Sequence, residues 1–220
     1  MTEQNNQSLS LEQLRDQARM ERISSELKAG FDIAHKYRKS VSIFGSARSL
    51  PDSPYYQKAQ SLAKRIVEET GYAIITGGGP GIMEAANRGA IEAQGDSVGY
   101  GIILPHEQKF NEFITDSLIF NYFFTRKVLL GFSAETFIAF PGGFGTFDEL
   151  FEIITLIQTR KVPTTPIILF GKEFWTPLVD WIKDQVLNVN HAVAPEDLDL
   201  FVITEDETEI INIIKNAPVR

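Results

Sequence analysis

From Ser40 onward, short and almost uniformly apolar runs alternate with longer amphipathic stretches. Such a run is typical of a strand buried on both faces, and an amphipathic stretch is typical of a helix. Strands that alternate with helices favour a parallel sheet with helices on both faces, and thus an α/β fold. The predicted strands are Val41–Phe44, Ala73–Thr76, Val98–Leu104, Thr136–Phe140, Pro166–Phe170 and Phe201–Thr204, and the predicted helices cover 55–69, 82–94, 122–132, 147–159, 174–188 and 207–215.

The stretch before Ser40 has a different pattern. Residues 1–9 are polar and lack periodicity, which predicts disorder. Ser10 and Gln13 have the spacing of a capping box, and apolar residues then recur at near-helical spacing. We expect a helical extension whose apolar stripe packs either on the main domain or on a partner chain. The stripe comprises Leu11, Leu14, Ala18, Ile23, Leu27 and Phe31.

Three of the predicted strands end in glycine-containing loops. These are Gly45-Ser46-Ala47-Arg48, Gly77-Gly78-Gly79-Pro80-Gly81 and Pro141-Gly142-Gly143-Phe144-Gly145-Thr146. The carboxyl ends of parallel strands meet at one edge of a sheet, and ligands bind in the crevice outside that edge. We therefore expect the three loops to line one crevice.

The third loop, Gly142–Thr146, stands between an apolar strand and an amphipathic helix. Glycine permits positive φ and a close approach of the backbone to a ligand. Free amides in the first turn of a helix favour phosphate, and Thr146 can cap the helix and donate its hydroxyl. A tight turn without a ligand is the alternative. The loop lacks the lysine of a triphosphate-binding P-loop and the third glycine of a dinucleotide fingerprint.

The second loop allows two interpretations. Its small residues either approach a ligand or let the following helix pack closely on the sheet. Glu84 and Asn87 share one face of that helix, where they can contact a ligand or solvent.

Charged residues in two predicted helices are further candidates. Arg126 and Lys127 point about a hundred degrees apart on a helix, which fits one snorkelling cation and one surface charge. In the alternative interpretation, Arg126 enters the crevice, where its planar group suits a phosphate or carboxylate. Asp148, Glu149 and Glu152 begin the next helix, where acidic residues ordinarily complement the dipole. Because Glu149 shares a face with Thr146, it can instead meet a developing cation.

Composition excludes several classes of function. The chain has no cysteine, which excludes disulfides, thiolate metal sites and cysteine nucleophiles. A net charge of −8 argues against a nucleic-acid polymer as partner. The polar N-terminus lacks the features of a signal peptide, and no run reaches the roughly 18 apolar residues of a membrane span. We expect a cytoplasmic protein without membrane contact. The three histidines are scattered, so neither a metal nor another cofactor is expected.

The stretches GGGPGIMEAANRGA, Arg126-Lys127 and PGGFGTFDELFEIITLIQT together resemble the LOG ("lonely guy") family. These are cytokinin-activating phosphoribohydrolases, long labelled possible lysine decarboxylases. The resemblance covers roughly residues 20–190, and the helical lead-in and the segment 104–108 resemble the longer-chain branch. It implies a Rossmann-like, doubly wound catalytic domain over 39–220, preceded by an extension over 1–38, in a homodimer or larger homo-oligomer.

The implied activity is hydrolysis of the N-glycosidic bond of a nucleoside 5′-monophosphate, AMP or an N6-modified AMP, to free base and ribose 5-phosphate. The resemblance makes Arg126 and Glu149 the catalytic pair. Breaking the bond builds positive charge at C1′, which a carboxylate stabilises while it orients or deprotonates water. We assign that role to Glu149, whereas Arg126 either holds anionic or hydroxyl groups of the substrate or assists the departing base.

The other predicted site residues come from the resemblance and from the strand-end loops. Departures from the family pattern are mild: Asp148 replaces a common glutamate, and Arg160 stands where a smaller residue is common. Met83 and Phe144 can stack on a base, although core packing is the ordinary role of such residues. The predicted substrate-binding residues are Gly45, Ser46, Gly77, Gly78, Gly79, Gly81, Glu107, Lys127, Gly142, Gly143, Phe144, Gly145, Thr146, Asp148 and Thr155.

Two other classes of function compete with this one. The first is a nucleotide or cofactor carrier without catalysis, for which both Arg126 and Glu149 would be superfluous. The second is a protein whose N-terminal helix recruits a partner. A pyridoxal decarboxylase is disfavoured, because the Schiff-base lysine and its partners are not evident in the sequence.

Overall fold

A computed structural model describes residues 10–104 and 110–218, and the predicted disorder of residues 1–9 lies outside this part of the chain. The helices are α1 Leu11–Lys36, α2 Pro54–Thr70, α3 Ile82–Glu92, α4 Phe123–Ser133, α5 Phe144–Gln158, α6 Lys172–Trp181 and α7 Glu207–Asn216, with a π-helical segment Ile182–Val189 and a 3-10 segment Pro195–Leu200. The strands are β1 Ser40–Phe44, β2 Ala73–Thr76, β3 Ser97–Ile102, β4 Asp116–Phe120, β5 Thr136–Ala139, β6 Ile167–Leu169 and β7 Val202–Ile203.

The seven strands form one parallel sheet in the order β4-β3-β2-β1-β5-β6-β7. The chain builds outward from β1 to the β4 edge and then returns through α4 to place β5 beside β1. The β1–β5 pair is therefore the topological switch point, where open α/β sheets bind ligands. The predicted Rossmann-like, doubly wound fold is confirmed.

Helices cover both faces of the sheet. Val41 and Ile43 pack with α2, α3 and α7 in one apolar cluster, whereas Phe44 packs with α4, α5 and α6 in the other. Trp175 of α6 is fully buried, and its Nε1 donates to carbonyl oxygens at the ends of β5 and β6, at 3.1 Å each. Burial on both faces explains why the central strands are uniformly apolar.

Some element boundaries differ from the predictions. No strand is predicted over β4, which lies at the sheet edge, starts with polar residues and alternates between half-buried and exposed residues until the buried Phe120. The helix predicted over 174–188 consists of two parts. The α-helix α6 ends at Trp181, and the chain goes on as the π-helical segment Ile182–Val189. The predicted start of a helix at 147 is wrong: α5 begins at Phe144, within a Gly-Phe-Gly stretch whose composition is typical of a loop.

The N-terminal helix α1 begins at the predicted capping box. Ser10 N donates to Gln13 Oε1 at 2.8 Å, and Gln13 N donates to Ser10 Oγ at 3.2 Å. The apolar stripe is divided: Leu27 packs against the core, whereas Leu11 and Leu14 are 77% and 48% exposed. Only the C-terminal half of the stripe thus packs on the main domain. Within the described residues, no helix combines the length and apolarity that a membrane span needs.

Candidate functional site

A cleft of about 550 Å³ opens at the switch point between β1 and β5. This volume falls within the range of about 300–1,000 Å³ that is typical of small-molecule sites. The cleft is lined by Gly45, Ser46, Ala47, Arg48, Met83, Arg126, Gly143, Phe144, Gly145, Thr146, Phe147 and Glu149. The first and third loops therefore meet in one crevice, as the sequence predicts.

Ser46 ties the three loops together. Its N–H donates to Pro141 O at 3.1 Å, and its carbonyl accepts from Ile82 N at 3.0 Å. Its Oγ accepts from Arg48 N at 3.1 Å, which leaves the hydroxyl proton for another acceptor. A substrate contact of Ser46 can therefore come only from its hydroxyl, because its backbone groups hold the loops in place.

The glycines of the third loop serve two purposes. A Cβ on Gly142 would overlap Thr146 Oγ1, so internal packing requires glycine there. A Cβ on Gly143 or Gly145 would meet no atom within 4 Å, so these positions face open space at the cleft. The expectation of positive φ is wrong for this loop, since positive φ among glycines is confined to Gly71, Gly78, Gly81 and Gly171 within the described residues.

Helix α5 presents an uncapped N-terminus to the cleft. Its N-cap is Gly143, and no side chain caps it. The predicted capping role of Thr146 is wrong, because that residue lies inside the first turn. The amides of this turn and the positive end of the helix dipole therefore stand at the cleft wall without a capping acceptor, which suits an anion.

The second loop supports the cleft rather than lining it. Gly78, Gly79 and Gly81 are buried, and Gly78 and Gly81 have φ of +72° and +73°. A Cβ on Gly81 would overlap Ser46 O, so close packing against the first loop requires glycine. Only Gly77 approaches the site, because a Cβ there would lie 3.7 Å from Arg126 Nη1. The three buried glycines thus have a packing role, and their contact with a substrate stays a prediction.

Asn87 and Glu84 also have structural partners. Asn87 is fully buried, and its Oδ1 accepts from Thr76 Oγ1 at 2.7 Å and from Asn111 Nδ2 at 3.0 Å. Glu84 accepts from the Tyr56 hydroxyl at 2.8 Å. Neither lines the cleft, so both side chains have a structural role within the described residues, and a ligand contact stays a prediction.

Arg126 and Glu149 form an ion pair inside the cleft. Arg126 Nη2 lies 2.7 Å from Glu149 Oε1, and their side chains are only 12% and 14% exposed. Arg126 Nε is buried without a hydrogen-bond partner in the described part of the chain. Burial raises the pKa of Glu149 to about 7, even though the Arg126 charge opposes this shift. The Glu149 carboxyl can therefore give or take a proton near neutral pH.

Lys127 points away from this pair. Its Nζ lies 3.0 Å from Asp148 Oδ1 and 3.2 Å from Glu152 Oε2, so it joins α4 to α5. Burial lowers the pKa of Lys127, but the two carboxylates outweigh burial and raise it overall. Asp148 lies in the second turn of α5, and with Glu152 it serves this bridge rather than the dipole of the first turn.

Three predicted site residues lie outside the cleft. Lys127, Asp148 and Thr155 line a neighbouring shallow depression with Phe151. Thr155 Oγ1 donates to Phe151 O at 2.7 Å, as a hydroxyl inside a helix commonly does. These three side chains thus have partners within the fold, and their contact with a substrate stays a prediction. Glu107 lies outside the described residues.

Some residues that line the cleft are not predicted as site residues from the sequence, and for two others the sequence favours a place in the core. Arg48 lies at the cleft and ends the first strand-end loop, Gly45-Ser46-Ala47-Arg48, so its place in that loop could have indicated a cation there. Ala47 and Phe147 also line the cleft. Phe144 is 95% exposed and Met83 is half-buried at the cleft, so core packing is the wrong interpretation for both.

Fold and cleft define a Rossmann-like α/β protein with a switch-point site suited to a small anionic ligand. Solved structures support the fold. The molybdenum cofactor binding protein from Rippkaea orientalis superposes with a TM-score of 0.58 at 18% identity, over 80% of this chain and 94% of that one. The molybdenum cofactor carrier protein of Chlamydomonas reinhardtii gives a TM-score of 0.56 at 20% identity, over 80% and 96%.

Sequence comparison identifies the family. The family model described as possible lysine decarboxylase matches residues 83–214. A cytokinin riboside 5′-monophosphate phosphoribohydrolase of Arabidopsis thaliana is 31% identical over 67% of this chain and 70% of that protein. One of the same name from Rhodococcoides fascians is 24% identical over 81% and 90%. The chain belongs to the LOG family, as its motifs predict.

Proposed function

We propose that this protein hydrolyses the N-glycosidic bond of a nucleoside 5′-monophosphate, AMP or an N6-modified AMP, to free base and ribose 5-phosphate. The observation that carries the proposal is the buried Arg126–Glu149 pair beside an uncapped helix N-terminus in one cleft. The relatives from Arabidopsis thaliana and Rhodococcoides fascians, which are named cytokinin riboside 5′-monophosphate phosphoribohydrolases, support the same activity.

The phosphate is assigned to the start of α5. The first-turn amides at Phe144, Gly145 and Thr146 have no capping side chain, and a doubly charged phosphate satisfies several of them at once. The open space around Gly143 and Gly145 leaves room for the phosphate oxygens. Arg48, which lines the same cleft, supplies a further cation.

The reaction is assigned to Glu149, which lies one turn after Thr146. As the bond from C1′ to the base breaks, positive charge develops on the ribose, and a nearby carboxylate stabilises it. Water then bonds to C1′ through its oxygen. The base departs with the electron pair of the broken bond. The proton that water loses passes to the Glu149 carboxylate and from there to the nitrogen of the departing base, so Glu149 ends the reaction in its starting state. A pKa of about 7 suits this exchange, because the carboxyl changes its protonation state readily near neutral pH.

Arg126 keeps the carboxylate and the phosphate compatible. A carboxylate one turn from a phosphate site would repel the ligand, but the guanidinium at 2.7 Å compensates its charge. The unpartnered Nε gives Arg126 a donor that its pairing with Glu149 does not use. We assign that donor to the substrate.

A homo-oligomer belongs to the same proposal. Several aromatic side chains on α4 and α5 are at least one third exposed, which is typical of a surface that another chain covers. They are Phe123 at 51%, Phe124 at 50%, Phe132 at 46% and Phe151 at 39%. Sedimentation equilibrium tests this part, and a monomeric mass at micromolar concentration would contradict it.

The deciding experiment is a panel of nucleoside monophosphates with chromatographic detection of free base and ribose 5-phosphate. We expect AMP or an N6-modified AMP to release its base. We also expect Glu149→Ala and Arg126→Ala to lower kcat by at least about a hundredfold, the scale on which charge stabilisation acts. Glu152→Gln, which removes the same charge from the next turn of α5, is the matched control. Unchanged release by Glu149→Ala would remove Glu149 from the mechanism, and tight binding without turnover across the panel would favour a carrier.

A further inference from the structure

Glu26, in the middle of α1, is a buried carboxylate outside the cleft. It is 7% exposed. One of its oxygens accepts from Asn121 N and Asn121 Nδ2, at 2.8 Å each, and the other lies 2.6 Å from Thr125 Oγ1. Burial raises the pKa of Glu26, but the hydrogen bonds from Thr125 and Asn121 outweigh burial and hold the pKa below its ordinary value. Glu26 is therefore a fixed negative charge.

The partners of Glu26 lie at the start of α4. The N-cap of α4 is Tyr122, whose own side chain makes no capping hydrogen bond. Glu26 provides an acceptor from another helix at this end, since it binds the amide of Asn121, just before the N-cap, and the hydroxyl of Thr125 in the first turn. A carboxylate at this place also complements the positive end of the α4 dipole. The N-terminal helix thus anchors the start of α4.

The register between α1 and α4 is fixed one turn further along both helices. Gly30 is buried, and a Cβ added to it would overlap the side chain of Leu129. Gly30 follows Glu26 by four residues, and Leu129 follows Thr125 by four. The contact between Gly30 and Leu129 therefore lies one turn beyond the contact between Glu26 and Thr125 on both helices. The close crossing of the backbones prevents α1 from sliding relative to α4.

Helix α4 needs such support, because it forms the crossover from the sheet edge at β4 back to the central strand β5. Thr125 and Arg126 are neighbours on this helix. The Thr125 hydroxyl faces Glu26, whereas the Arg126 side chain extends to the cleft and pairs with Glu149. A shift of the first turn of α4 would therefore move the Arg126 guanidinium directly.

We propose that Glu26 is a positioning residue for Arg126, so that the N-terminal helix is part of the support of the cleft. The proposal rests on the proposed function only for the role given to Arg126. It assigns α1 a purpose within its own chain. The bond chemistry stays with Arg126 and Glu149, and Glu26 touches neither the substrate nor its reacting atoms.

The test uses the full chain with Glu26→Gln, which removes the charge at nearly constant shape. Thr125→Val removes the hydroxyl partner, and Thr125→Ser retains it. Lys36→Met is the matched control, because it breaks the other polar anchor of α1, the 2.8 Å pair with Asp116 of β4, without touching α4. We expect kcat to fall by about ten- to a hundredfold in Glu26→Gln and Thr125→Val, the scale of small misplacements of a catalytic group, and to stay within about twofold in Thr125→Ser and Lys36→Met.

A double-variant comparison separates positioning from general destabilisation. If Glu26 acts through Arg126, Glu26→Gln added to Arg126→Lys lowers kcat less than it does in the wild-type background. An equal loss in both backgrounds would overturn the proposal. So would a kcat in Glu26→Gln within about twofold of wild type, provided that the wild type is active.

Two readouts need no turnover. Hydrogen–deuterium exchange of the amides at 121–126 is expected to be faster in Glu26→Gln but unchanged in Lys36→Met. Affinity for AMP, measured by calorimetry, is expected to weaken in Glu26→Gln and not in Lys36→Met. If no monophosphate is hydrolysed but both shifts occur, the proposed function fails and the positioning role stands. Unchanged exchange and unchanged affinity would overturn the positioning role whatever the activity. If Glu26→Gln does not fold, the same measurements of kcat, exchange and AMP affinity are compared between Thr125→Val and Thr125→Ser.

Discussion

Replacement of Glu149 by glutamine should change how the stability of the protein depends on pH. Burial raises the pKa of Glu149 from 4.5 to about 7, despite the neighbouring charge of Arg126. The carboxyl is only 14% exposed, so solvent screens it weakly. The folded protein therefore holds the Glu149 proton over a pH range in which the unfolded chain has already released it.

The sign of the effect follows from this difference in proton binding. Between pH 4.5 and about pH 7 the folded state binds more protons at this site than the unfolded state, so stability falls as pH rises. Above about pH 7 the penalty is fully present. A raised pKa of this size corresponds to about 3 kcal/mol in total, of which about 2.5 kcal/mol develops between about pH 5 and about pH 8.5.

Urea unfolding of the wild type and Glu149→Gln at these two pH values measures the effect. Loss of the partnership with Arg126 also changes the stability of the variant at both pH values, so the measured quantity is the change in the stability difference between the two proteins. We expect that change to be about 2.5 kcal/mol in favour of the variant at the higher pH. Glu152→Gln controls for the general effect of one fewer negative charge. An identical difference at both pH values would refute the reasoning.

Three further predictions concern packing and the cleft rim. Phe144→Ala should weaken AMP binding by about 1–3 kcal/mol in calorimetry, as the loss of a stacked base would, without lowering the thermal midpoint, because the ring is 95% exposed; unchanged affinity would exclude stacking. Gly30→Ala should reduce the free energy of unfolding in urea by about 1–3 kcal/mol, because its methyl overlaps Leu129; full stability would mean that α1 and α4 separate easily. Trp175→Phe should cost about 1–3 kcal/mol in the same assay, because two carbonyls lose a buried donor, and an unchanged midpoint would contradict this.

The central strands are the part of the fold that the sequence predicts best. β1, β2 and β5 appear as apolar runs because helices cover both of their faces. The edge strand β4 escapes prediction, since one of its faces is partly exposed and its apolar run is interrupted. The start of α5 escapes it for another reason: Gly143 and Gly145 have low helix propensity, and tertiary packing overrides that propensity.

The cleft is predictable only in part. The glycine loops are recognisable because each follows an apolar run, and the strand ends of a parallel sheet must converge. Contact between Arg126 and Glu149 cannot be derived from spacing, because the crossover path of α4 decides it. Lys127 is assigned to substrate by resemblance, yet its contacts within the chain are with α5. The role of Glu26 cannot be predicted from the sequence pattern, because one glutamate among several charged residues on a polar helix has the pattern of a solvent-exposed charge. The roles of all these residues stay predictions.

The position of the cleft between β1 and β5 has a consequence for the order of folding. Ser40, at the start of β1, binds the Glu135 carboxylate just before β5, and these two residues lie 95 positions apart in the chain. On the ribosome, the central strand must therefore wait for most of the sheet to be synthesised before it acquires that neighbour. Contacts of such long range form slowly, and an unpaired central strand is prone to aggregation meanwhile. We expect the seam between β1 and β5, beside the cleft, to close later than the seam between β1 and β2, whose strands follow one another in the chain.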